Sequence, residues 1–282
     1  MLLQCGLKSL DLSTPKIMGI LNITPDSFSD GGTLYQNGQV SLNNVLKRAE
    51  RMLAEGADIL DVGGESTRPG AASVSEQEEL DRVIPVIEAL VMKLGPIVSV
   101  DTSTASVIRE SALKGAAIIN DVRALSRDGA LAAAADTGLT VCLMHMQGQP
   151  QNMQNAPHYD DVVVDVLTFL QQRIDACQAA GIDREGILVD PGFGFGKTLA
   201  HNLALLARLP ELDVLGAPIL VGLSRKSMLN QLIGRAVDER LPGSLALAMT
   251  AIERGAAIVR VHDVAATRDV LSVYNAVRNA AS

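Results

Sequence analysis

Short apolar runs alternate along the chain with longer stretches whose apolar residues recur at helical spacing, and the alternation repeats eight times. The runs read as strands at 16–22, 57–62, 97–101, 117–121, 140–145, 187–190, 218–222 and 257–261. The segments between them read as helices. From Ser41 on, Val45, Leu46, Ala49, Met52 and Leu53 share one face, with Gly56 as the stop. Ser75 and Glu78 form a capping box for a helix with an apolar stripe from Leu80 to Val91, kinked at Pro85. Thr104 is set to cap a short helix ending at Gly115, and 128–136 is an alanine-rich helix. Val162 to Ile174, His201 to Leu209, Ser244 to Glu253 and Val264 to Ala280 complete the set.

Eight strand–helix units with no linker predict one domain over 1–282, an α/β (β/α)8 TIM barrel; an open doubly wound sheet is the runner-up. The strand ends favour the barrel. They carry Asn22, Asp61, Asp101, Asn120, His145, Asp190, Ser224 and Arg260 to His262, which a barrel gathers at one mouth and an open sheet strings along an edge.

Composition narrows the functions. The net charge is −8 and aromatics make up 2% of 282 residues with no Trp, so neither a phosphate-tracking surface nor a base-stacking platform is present, and nucleic acid is not expected as a partner. An anionic substrate must be met by a few local cations. Cys5, Cys142 and Cys177 are too widely spaced for a disulfide framework or a zinc ribbon. No apolar run approaches the ~18 residues that span a bilayer, and the N-terminal segment is broken too early for a signal peptide. A cytoplasmic protein with no membrane partner is expected.

The chemistry centres on Ile187 to Lys197, where an apolar run delivers Asp190 into a turn containing Gly192, Gly194 and Gly196. Those glycines allow backbone to approach something bound, or simply make a tight turn. A phosphate loop fails on spacing, because Pro191 stands where its first glycine belongs. The dinucleotide fingerprint fails because the pattern is G-x-G-x-G. Asp101, Asn120 and Asp190 offer acceptors that suit a flat heterocycle with adjacent N–H donors, although each alone could be a helix or loop cap. Arg68, Arg225, Lys226, Arg260 and His262 form a cationic set, the last four at the usual phosphate corner of a barrel. With no H-x-H or H-E-x-x-H, a zinc hydrolase is poorly supported. His145 reads as a packed or loop-positioning residue, and His158 and His201 as surface or capping residues.

Five ordered blocks carry a resemblance across nearly the whole chain: Met18 to Gly32 (MGILNITPDSFSDGG), Gly63 to Gly70 (GGESTRPG), Asp190 to Lys197 (DPGFGFGK), Gly222 to Ser227 (GLSRKS) and Arg260 to Val264 (RVHDV). Together they resemble bacterial dihydropteroate synthases. The resemblance implies a transferase that joins 6-hydroxymethyl-7,8-dihydropterin pyrophosphate to 4-aminobenzoate and releases pyrophosphate. It implies that Asp101, Asn120, Met144, Asp190 and Lys226 hold the pterin. Thr67, Arg68, Pro69, Phe195 and Ser227, with Lys226, would frame 4-aminobenzoate. Asn22, Thr67, Arg260 and His262 would hold pyrophosphate, with Asn22 ligating Mg²⁺ as cofactor. Asp30 would meet a cationic intermediate formed by early departure of pyrophosphate, within loops 24–38 and 63–72 that close over it. The family also commonly forms homodimers, for which the late helices would serve.

Three rivals stand beside this reading. A pterin-dependent methyltransferase shares the barrel, but the anion-binding set after strand eight argues against it. A Schiff-base aldolase would often place lysine where Asp190 ends strand six. A paralogue that binds pterin without turnover is the rival from a different class.

Overall fold

The structure is a computed structural model that describes residues 1–24, 34–36, 39–66, 74–149 and 152–280. Eight parallel strands close into a barrel: Lys16–Asn22, Ile59–Gly63, Ile97–Asp101, Ile118–Asp121, Thr140–Met144, Ile187–Asp190, Ile219–Val221 and Ala256–Val261, the last pairing back onto the first. Each strand is followed by a helix: α1 (Leu42–Ala54), α2 (Glu76–Lys93), α3 (Ala105–Leu113), α4 (Ala130–Thr137), α5 (Val162–Ala179), α6 (Leu199–Ala207), then α7 (Ser227–Ile233) and α8 (Leu241–Glu253) after strand seven, and α9 (Val264–Ala280). The open sheet is therefore excluded.

Strand parity divides the core in two. Side chains alternate across a strand. Met18, Ile59, Ile97, Ile118, Cys142, Leu188, Leu220 and Ile258 form one buried cluster inside the barrel. Their neighbours of opposite parity, among them Ile17, Leu60, Val98, Ile119, Val141, Val189, Val221 and Val259, pack outward with the helices in the larger cluster. Counting two or four residues on from the inner set gives Asn22, Asp61, Asp101, Asn120, Met144, Asp190, Gly222, Arg260 and His262. The apolar inner layer lies beneath this polar one.

The other end of the barrel holds an element absent from the sequence reading. Strands Leu2–Cys5 and Lys8–Asp11 make an antiparallel hairpin. Its Leu3, Cys5 and Leu10 join the inner cluster and plug the barrel floor. Thr140 Oγ1 donates to the Gln4 carbonyl at 2.5 Å, and Lys8 Nζ donates to the Gly95 carbonyl.

Local expectations fare unevenly. The Ser75 capping box forms, with Ser75 N 2.9 Å from Glu78 Oε2 and Glu78 N 3.3 Å from Ser75 Oγ, and α2 continues through Pro85. Thr104 stands at the N-cap of α3, but its side chain makes no cap bond. It donates instead to Glu79 at 2.7 Å, a buried carboxylate that also receives the Thr102 hydroxyl at 2.5 Å. α7 was not anticipated. Among the described residues no helix is long and apolar enough to cross a membrane.

Candidate active site

Arg260 organises the mouth. Its Nε donates to Asp61 Oδ2 at 2.6 Å and its Nη2 to Asp101 Oδ2 at 3.0 Å, so two edges of the guanidinium are fixed by carboxylates from strands two and three. Asp61 is fully buried and also receives Asn120 Nδ2, at 3.4 and 3.3 Å from its two oxygens. Adjacent strands thus deliver Asp61, Asp101 and Asn120 at neighbouring heights, Asp101 paired in register with Asn120. Two carboxylates share one cation here. Burial therefore pushes the Asp101 carboxyl up to about 8, with Arg260 drawing it down and Asp61 adding to the rise.

Across the opening, Asp190 ends strand six beside Met144 of strand five, their positions paired in register and both side chains buried. Gly192 N donates to Asp190 Oδ1 at 2.7 Å. Burial raises the Asp190 carboxyl above the usual range, and the Lys226 ammonium is the largest charge opposing that rise. Lys226 is itself drawn down by burial to about 8, with Asp190 holding it up. Its Nζ donates to the Phe193 carbonyl and lies 4.5 Å from the centre of the Phe195 ring. Ser227, the first residue of α7, is exposed next to it.

On the remaining side, Ser224 fixes His262. The hydroxyl lies 3.0 Å from His262 Nδ1 and accepts from His262 N at 3.3 Å. Asn22 faces an opening that a glycine preserves. A Cβ built on Gly63 would stand 3.6 Å from both Asn22 Oδ1 and Asp101 Oδ2, within the space between them.

Asn22, Asp101, Asn120, Met144, Asp190, Phe195, Lys226, Ser227, Arg260 and His262 thus surround one mouth. Asp30, Thr67, Arg68 and Pro69 lie outside the described residues. Arg225, counted with the cations, is drawn aside. Its Nε donates to Asp263 Oδ2 at 2.9 Å and its Nη2 to Asp263 Oδ1, in a bidentate pair. The glycines of 192–196 also need correcting. A Cβ on Gly192 would fall 1.8 Å from the His145 carbonyl oxygen and one on Gly196 2.5 Å from that of Gln147, so the close approach they permit is to the chain's own backbone. His145 has outward parity and stacks edge-on against Phe169, with ring centres 5.0 Å apart, as a packed residue should. His201 is a capping residue, its Nδ1 accepting from Thr198 N at 3.2 Å.

Two roles were missed. Asp61 was visible as a carboxylate ending a strand, and its parity assigns it to the lumen. Lys197 was visible as the tail of a rejected phosphate loop and as the last residue of the DPGFGFGK block, with no role assigned to it, yet it is buried.

Mg²⁺ can be tested against the donor set. Among the described residues no group of three or more His, Cys, Asp and Glu is placed to hold a metal ion. The single carboxamide oxygen of Asn22 fits a cation that takes most of its ligands from substrate phosphates and water, as Mg²⁺ commonly does.

The chain is similar to known proteins over most of its length. Residues 18–262 match the family model described as pterin binding enzyme. The chain is 57% identical to the dihydropteroate synthase of Escherichia coli strain K12 over 272 residues, covering 96% of this chain and 95% of that one. It is 53% identical to the Haemophilus influenzae dihydropteroate synthase, covering 99% of this chain and 100% of that one. Among solved structures, a Yersinia pestis dihydropteroate synthase with a sulfonamide drug complex superposes with a TM-score of 0.95 at 56% identity, covering 99% and 100% of the two chains. The Xanthomonas albilineans enzyme with 4-aminobenzoic acid does so with a TM-score of 0.90 at 51% identity, covering 98% of each.

Proposed function

The chain belongs to the dihydropteroate synthase family of pterin-binding enzymes, and from that premise we propose how its barrel mouth divides the family's reaction among its residues. The reaction joins 6-hydroxymethyl-7,8-dihydropterin pyrophosphate to 4-aminobenzoate, giving 7,8-dihydropteroate and pyrophosphate in folate biosynthesis. The whole chain, 1–282, serves as one catalytic domain.

The pterin lies in the lumen. Asp190 takes its N3–H and 2-amino group, Asn120 the neighbouring ring edge, Asp101 the N8 side and Lys226 the carbonyl side, with Met144 against the ring. The observation that carries this is the shared lumen parity of Asp101, Asn120 and Asp190 above an apolar floor, which presents acceptors to one flat donor edge. Asp190 suits its part because Gly192 N occupies only Oδ1, leaving Oδ2 for a ligand donor.

The leaving group sits over Arg260, His262, Asn22 and Thr67. Arg260 meets it through Nη1, the nitrogen that neither Asp61 nor Asp101 engages. Mg²⁺, when bound, neutralises charge on the diphosphate, and Asn22 is the residue that would hold it. Arg68, Thr67, Pro69, Phe195, Lys226 and Ser227 frame 4-aminobenzoate, its carboxylate near the start of α7.

The bond from the pterin methylene carbon to the diphosphate oxygen breaks first, with the electron pair leaving on oxygen. The dihydropterin ring delocalises the resulting positive charge, which Asp30 faces. The arylamine nitrogen then forms the new C–N bond and loses one proton. Holding the departing anion is the main electrostatic task, and loops 24–38 and 63–72 exclude water from the cation.

We further read the protein as a cytoplasmic homodimer. Exposed Leu232 and Ile233 of α7 and Val273 and Val277 of α9 supply apolar surface on the late helices for such contact.

Single-turnover assays test the order of events. With Mg²⁺ and both substrates, pyrophosphate and 7,8-dihydropteroate form together in equal amounts. With the pterin substrate alone, pyrophosphate is still released, more slowly, as water captures the cation. Strict dependence of release on the arylamine, with a rate that follows amine basicity, contradicts early bond cleavage. Binding of both substrates without any release would identify a non-catalytic paralogue.

A further inference from the structure

Lys197 is 3% exposed, packed against the glycine loop and near enough to Asp190 and Lys226 to feel both charges. Its Nζ lies 2.9 Å from His145 Nδ1, 2.9 Å from the Gly192 carbonyl and 3.1 Å from the Phe195 carbonyl, with the His145 carbonyl more distant at 3.5 Å. An ammonium carries three N–H donors and no acceptor, so three acceptors satisfy it completely. A neutral amine is satisfied as well, with two N–H groups on the carbonyls and its lone pair accepting from a protonated His145 Nδ1. The contacts fit a charged lysine with an imidazole that accepts at Nδ1, or a neutral lysine that accepts from Nδ1–H, and in both arrangements the same three bonds hold.

Burial works against that charge and for a neutral imidazole. It draws the ammonium well below the usual lysine range, opposed by Asp190, with Lys226 adding to the fall. It also takes His145 down to about 2, with Lys197 contributing. A polar group buried this deeply needs its hydrogen bonds made in either state, and the fixed backbone and imidazole supply them.

Lys197 ties together two segments with no other room to adjust. Gly192 and Gly196 press onto the backbone of His145 and Gln147 more closely than any side chain would permit. Further bonds pin the same loop. Gly194 N donates to Asn202 Oδ1 at 2.7 Å, the Gly194 carbonyl accepts from Gln154 Nε2 at 2.7 Å, and the Gly196 carbonyl accepts from Tyr159 OH at 2.7 Å. Among the described residues Lys197 alone bonds to the loop's start, to its end and to His145 together. The loop then presents the Phe193 carbonyl to Lys226 Nζ and the Phe195 ring beneath it.

We propose that Lys197 is a positioning residue for the arylamine half of the site, an internal amine whose three bonds fix loop 191–196 so that Phe195 and Lys226 stay in contact. The inference rests on the reading of Phe195 as a 4-aminobenzoate contact.

Steady-state kinetics on the full-length protein, varying each substrate in turn, test it. In Lys197→Met the KM for 4-aminobenzoate rises about tenfold, while that for the pterin substrate rises much less. Phe195→Ala, measured alongside, raises the same KM and separates the two claims. If Phe195→Ala leaves it unchanged, the arylamine assignment is wrong. If Phe195→Ala raises it and Lys197→Met moves both KM values equally, or only lowers kcat, the positioning role is wrong. Should Lys197→Met fail to fold, the pair His145→Leu and His145→Asn decides. The leucine removes the Nδ1 partner and raises the 4-aminobenzoate KM selectively, while the asparagine, whose amide can accept from or donate to Lys197, restores it. Equal behaviour of the two overturns the proposal.

Discussion

Arg260 reaches from strand eight across to strand two, its Nε 2.6 Å from Asp61 Oδ2. Asp61 is wholly enclosed, and the Arg260 side chain is 20% exposed. The carboxylate also receives Asn120, so one buried group aligns a residue assigned to the leaving group and one assigned to the pterin. Removing a single partner from such a pair leaves the other without compensation. Asp61→Ala should destabilise the fold by about 3 kcal/mol in urea denaturation. A loss below about 1 kcal/mol would show that Asp101 alone satisfies Arg260.

Asp101 makes stability depend on pH. Its folded value of about 8 lies above the unfolded carboxylate value of ~3.9, so the native state binds the extra proton between them. The contribution is fully present below ~pH 4 and is lost as pH rises through about 8. Asp101→Asn removes this dependence. The variant's urea midpoint should therefore improve relative to the wild type on going from pH 5 to pH 8.5. A difference constant across that range would sink the assignment.

His145 is neutral in the fold because burial holds its imidazole near 2. Nitrogen NMR of the imidazole should show no titration from pH 8 to pH 5. A midpoint near the ordinary ~6.5 would mean that the ring reaches water.

Gly63 guards the space between Asn22 and Asp101. In Gly63→Ala the added methyl occupies that space, and the KM for the pterin substrate should rise about tenfold at fixed Mg²⁺. Unchanged kinetics would place the diphosphate elsewhere.

The barrel was legible because every strand ends at or near a polar residue, and all of these but His145 of strand five have inward parity. The same rule set His145 apart, since counting from Val141 and Leu143 puts it on the outer face with Phe169. The hairpin that plugs the floor was not legible: Leu2 to Asp11 alternates too briefly to announce strands, and only the apolar inner layer gives Leu3 and Leu10 somewhere to go. Glu79 sits in an acidic helix start that reads as solvent-facing, and the hydroxyls of Thr102 and Thr104 that meet it come from a distant loop. Arg225 carried the charge expected of an anion contact, but Asp263, two residues past strand eight, captures it. Partners that tertiary contact supplies leave no periodic trace in the chain.

The central claim is that the mouth has separate grips for the pterin and for its leaving group. Calorimetry with 6-hydroxymethylpterin and with pyrophosphate plus Mg²⁺, each titrated into Asp190→Ala and His262→Ala, tests it most directly. Asp190→Ala should weaken pterin binding by about 10²-fold and leave pyrophosphate nearly unaffected, and His262→Ala should do the reverse. If both variants weaken both ligands equally, or if Asp190→Ala binds the pterin as tightly as the wild type, the division of the site is wrong.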